Sequence, residues 1–85
     1  MTKDKFHQIM AVTLPVKKDV AFDKTLAGLL ILAKCTSRTI QGTGNGMIYS
    51  EDVDILIASG ISEYKVTRLA ELEFYIEDNH LCKDI

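Results

Sequence analysis

The chain has 85 residues and a mass of 9.5 kDa, with 47% hydrophobic and 26% charged side chains. That is the size and balance of one globular domain, residues 1–85, and it excludes a disordered, collagen-like or purely coiled-coil chain. A net charge of −2 gives no general attraction to nucleic acid or to an anionic membrane.

Phe6, Ile9, Met10, Thr13 and Leu14 recur at helical spacing, so a first helix is expected, capped by Thr2 and stopped by Pro15. A strand over Ile9–Val16 is the alternative, because Val and Thr favour a pleated backbone. Val16–Lys18 reads as a connector. Asp19 or Asp23 then caps a second helix running to about Arg38. Its middle, Leu26–Ala33, is apolar on every side, and a helix apolar all round must be buried all round. A second copy of the chain is the economical cover. A homodimer is therefore expected, with Leu26, Leu29, Leu30 and Ala33 at its interface and Gly28 allowing close approach. A central core helix in a monomer is the alternative.

Gly42–Gly46 is a loop, flanked by segments that suit a short β-hairpin over residues 39–49. Its glycines match neither a P-loop nor a dinucleotide fingerprint. Ser50 is expected to cap a third helix ending near Ser59, with Gly60 as its stop. Ser62 caps a fourth, expected to reach about Asn79 with Val66, Leu69, Ala70, Leu72 and Ile76 buried. Residues 80–85 are expected to fray. The expected fold is mainly α: a four-helix small domain with room for a hairpin between helices 2 and 3.

Charge is unevenly distributed. Residues 1–45 hold seven basic and three acidic side chains, net +4, and residues 46–85 hold three and nine, net −6. Cys35 and Cys82 read as two reduced thiols rather than a disulfide framework or zinc site, which points to a cytoplasmic protein. Residues 1–14 carry no secretory-signal pattern, and the longest apolar run is too short for a membrane span. His7 and His80 lack metal-spaced partners, and no nucleophile stands beside a base. No catalytic residue, metal or cofactor is expected.

Two binding surfaces compete. At about 100° per residue, Tyr64, Arg68, Glu71 and Tyr75 share the exposed side of the last helix. Aromatics and Arg are what protein interfaces use as anchors, and surrounding acids steer them toward a basic partner. The expectation is a small non-catalytic regulator or inhibitor that binds a protein with a basic surface. By size and charge it is analogous to compact acidic regulators of phages and mobile elements. The alternative rests on Ile55–Leu69, which resembles a generic helix-turn-helix unit, with a turn at Gly60-Ile61-Ser62 and apolar Ile61, Val66 and Leu69. That resemblance implies a dimeric DNA-binding regulator using residues 50–72, with Tyr64, Lys65, Thr67 and Arg68 facing the groove. Leu56 and Ser59 depart from the motif's pattern, and five nearby acids oppose phosphate contact.

Overall fold

A computed structural model describes residues 1–16 and 23–85. The elements in chain order are helices α1 (Lys3–Val12) and α2 (Lys24–Ala33), strands β1 (Gly42–Gly44) and β2 (Met47–Asp52), helices α3 (Val53–Ala58) and α4 (Glu63–Glu71), and strands β3 (Tyr75–Glu77) and β4 (His80–Asp84). The strands form one antiparallel sheet in the order β1-β2-β4-β3. The fold is α+β, which corrects the expectation of a mainly α domain.

The correction has a definite origin at the end of the chain. The fourth helix stops at Glu71 rather than near Asn79, and Glu73 turns the backbone into the left-handed region at φ 69°. Asp78 and Asn79 then sit at φ 50° and 59°. Two consecutive left-handed residues make the tight turn that suits strand twist in a hairpin. The hairpin β3–β4 follows, with Tyr75 opposite Cys82 and Ile76 opposite Leu81. β4 also pairs with β2, Ile48 opposite Lys83 and Tyr49 opposite Cys82, with an irregularity between Tyr49 and Asp52. Residues 80–84, expected to fray, are thus a central strand, and Leu81 and Cys82 are fully buried.

The helices form where capping chemistry allows. Thr2 accepts from the Lys5 amide at 3.1 Å, Asp23 from Leu26 at 3.0 Å and Ser62 from Lys65 at 3.1 Å. Asp19, the other proposed cap for α2, lies outside the described residues. Ser50 does not cap α3. It is a buried residue of β2, and Asp52 takes the role, accepting from Asp54 at 2.7 Å. α2 ends at Ala33, not Arg38.

Phe6, Ile9, Leu32, Val53, Leu56, Ile61, Val66, Leu69, Leu72, Phe74 and Leu81 make one core between the helices and the inner sheet face. α2 is not enclosed by it: Gly28 and Leu32 are its buried residues. Among the described residues no helix is long and apolar enough to cross a membrane.

Candidate protein-binding face of helix α4

α3 and α4 follow one another across a short turn, and the β3–β4 hairpin comes next in the chain. Gly60 adopts φ +84°, a conformation that favours glycine, and lets the chain reverse before Ser62. Val66, Leu69 and Ala70 turn one side of α4 into the core. Leu56, bulky where the motif has a small residue, is fully buried. Ser59 is accommodated because its hydroxyl donates to the Leu56 carbonyl at 2.6 Å.

The opposite side of α4 presents Tyr64, which is 74% exposed. One and two turns further, Arg68 Nη1 donates to Glu71 Oε1 at 2.7 Å. Tyr64, Arg68 and Glu71 therefore share a face at i, i+4 and i+7, as the spacing predicts. Lys65 and Thr67 are half-buried on the flanks, and the Thr67 hydroxyl is turned back to the Glu63 carbonyl at 2.9 Å. Tyr75 does not belong to this stripe. It lies on β3, where its hydroxyl donates to Asp84 Oδ1 at 2.7 Å. The helix ends four residues before it, so helical spacing no longer relates the two positions.

Three ion pairs join the front and back halves of the chain. Lys3 pairs with Asp54 at 3.6 Å, Lys5 with Glu63 at 4.0 Å and Lys24 with Glu73 at 2.8 Å. Each pair joins a cation of the basic half to an anion of the acidic half. Exposed pairs of this kind contribute little stability, about 0–1 kcal/mol each. The β3–β4 hairpin tip carries exposed Glu77 and Asp78.

Other polar groups are structural. Glu51, expected near the start of α3, lies buried in β2. Its carboxylate accepts from Thr36 Oγ1 at 2.6 Å, Gln41 Nε2 at 2.7 Å and its neighbour's amide, Asp52 N, at 2.9 Å. Burial raises its pKa, but these three donors outweigh burial and hold the carboxyl below its ordinary value. The sequence carries no sign of this, since both side-chain donors come from positions ten and fifteen residues away. An open hollow of about 330 Å³ is lined by Gln41, Gly42, Tyr49, Asp78 and His80. Burial and nearby Glu77 raise the Tyr49 phenol there. Cys35 and Cys82 are free thiols, and burial raises the Cys82 thiol. Cys82 is directed at the Glu77 and His80 carbonyls rather than at the His80 ring. Among the described residues no cluster of three His, Cys, Asp or Glu is placed to hold a metal.

Of the residues expected at a dimer interface, Leu26 and Leu30 are exposed, at 54% and 58%, and so is Ala33. Leu29 is half-buried and packs against the core. No protein-family model, curated protein or solved structure matches this chain.

Proposed function

We propose that this chain is a small, cytoplasmic, non-catalytic regulatory protein that binds a protein partner with a basic surface through the outer face of α4. The observation that carries this reading is Tyr64, 74% exposed beside the Arg68–Glu71 pair. A large amphipathic ring next to an Arg held in one geometry is the kind of anchor that interfaces concentrate their energy on. Glu71 shares this face and exposed Glu63 stands next to Tyr64 in the chain, and acids beside an anchor favour a cationic partner and speed encounter with it. Where the partner's basic surface is itself a nucleic-acid site, occupying it makes this protein an inhibitor by competition.

DNA binding is the second reading, and the succession of α3, a glycine turn and α4 supports it. Against it stands the charge. Arg68 is engaged by Glu71 and Lys5 by Glu63, so two cations at α4 are already paired before any phosphate approaches.

The test compares the wild-type chain with Tyr64→Ala and Arg68→Glu, both checked for unchanged circular dichroism. Immobilised wild type should retain a basic host protein that both variants release, and mixed-sequence duplex DNA should not bind even at low salt. Equal retention by all three proteins removes the α4 reading. A low-salt DNA shift that fades with salt and is lost in Arg68→Glu transfers the assignment to the second reading.

A further inference from the structure

Helix α2 carries a face that the rest of the described chain covers only in part: Leu26 and Leu30 are exposed, while Ala27 and Ile31 are half-buried against the core. At about 100° per residue, Gly28 and Leu32 point inward, Gly28 against Phe74 and Leu32 fully buried. Asp23, Leu26 and Leu30 on the outer side, with Ala27 and Ile31 on the flank, line an open apolar groove of about 500 Å³. Lys34, the C-cap residue, falls on the same stripe one step further along. From Asp23 to Lys34 the stripe follows the spacing i, i+3, i+4, i+7, i+8, i+11. It is acidic at one end, apolar through the middle and basic at the other.

We infer that a second copy of the chain covers this face through an antiparallel, two-fold contact between the two α2 helices. The inference is independent of the proposed function, because α4 takes no part in it. The order of residue types along the stripe is its own complement. With the two-fold axis midway between Gly28 and Leu29, Asp23 meets the partner's Lys34, Leu26 meets the partner's Ile31, and Ala27 meets the partner's Leu30. All three relations hold at once, twice over, as an isologous contact requires. A parallel arrangement would instead set Asp23 on its own copy and Lys34 on its own copy. Small Ala27 opposite a leucine lets the helices approach, and antiparallel helix dipoles attract. Lys24, which would spoil the acidic end, is drawn to the flank by Glu73 at 2.8 Å.

The contact is small. A helix of ten residues is only about 15 Å long, and a standard stable interface buries about 800 Å² per partner. The dimer is accordingly weak, with a dissociation constant on the order of tens to hundreds of micromolar.

Sedimentation equilibrium on the full chain, from ~10 μM to ~1 mM, tests this. The average mass should rise with concentration from 9.5 kDa toward twice that value. Leu30→Glu should stay monomeric with unchanged circular dichroism, since the side chain is already exposed. Lys34→Glu should raise the dissociation constant about tenfold, because two attractive pairs become repulsive. Adding Asp23→Asn to Lys34→Glu should recover part of that loss. Asn removes the repulsion yet still caps the helix. A chain monomeric at the highest concentration, its groove filled by its own residues 17–22 or by nothing, overturns the proposal. So does a dimer indifferent to Leu30→Glu, or one that Lys34→Glu leaves unchanged.

Discussion

Gly28 of α2 lies flush against the ring of Phe74, so closely that a Cβ on Gly28 would overlap the ring edge. Phe74 is 4% exposed and belongs to the core, so the ring has no room to swing aside. The absence of one side chain on α2 thus sets the distance at which the helix docks on the segment between α4 and β3.

Gly28→Ala should destabilise the fold by up to about 2 kcal/mol. Alanine improves helix propensity by about 1 kcal/mol, whereas forcing extra volume into a packed core costs about 1–3 kcal/mol. Gly42→Ala, with open space around it, serves as the neutral control. Urea denaturation should show a lowered midpoint for the first variant and none for the second. Equal midpoints for Gly28→Ala and wild type would mean the ring moves freely.

Glu51 makes stability depend on pH in a stated direction. Its folded pKa lies below the ordinary carboxyl value, despite burial, because three donors hold the ionised form. Its contribution is complete above the unfolded pKa and disappears as pH falls through the lowered folded value. Glu51→Gln should cost about 1–3 kcal/mol at neutral pH, since the three donors lose a charged acceptor. It should also flatten the fall in stability below about pH 5. Thermal melts across pH for both proteins provide the comparison.

Asn79 joins two features that one substitution can separate. Its backbone occupies the left-handed region at φ 59°, and its side chain donates to Asp52 Oδ2 at 3.0 Å and Asp54 Oδ2 at 3.0 Å. The hairpin tip is thereby tied to the start of α3. Asn79→Gly keeps the turn and loses the side-chain bonds, at about 1–2 kcal/mol. Asn79→Ala loses both, and adds about 1 kcal/mol of backbone strain. The melting temperature should fall in the order wild type, Gly, Ala. Reversal of the two variants would show that the turn is not strained.

Tyr75 should ionise late. Its hydrogen bond to Asp84 holds the proton on the phenol, and burial and the Asp84 charge add to the effect. The interaction supports the fold below the ordinary phenol pKa and is lost as pH rises through the raised value. In an absorbance titration, Tyr75→Phe should remove the last tyrosine step to appear. An unchanged final step would place that step on another tyrosine.

Legibility in the sequence follows the range of the interaction. Thr2, Asp23 and Ser62 cap their helices as expected, because a cap bonds to an amide two or three residues away. The Tyr64, Arg68, Glu71 face is likewise local, one helix and its period. Ser50 was misread because a good cap residue stands two positions before another, Asp52, and the pairing of β2 with β4 claimed the first for the sheet.

The amino-acid order by itself determined the single apolar face of α4, the turn at Gly60 and the division of charge between the two halves. Each is a property of neighbours along the chain. The tertiary structure alone decided that residues 75–77 and 80–84 are strands, that α4 stops at Glu71, and that Lys3, Lys5 and Lys24 pair with Asp54, Glu63 and Glu73. A strand is completed by its partner, and a surface field by whichever distant charges fold beside it, so neither is contained in any one segment.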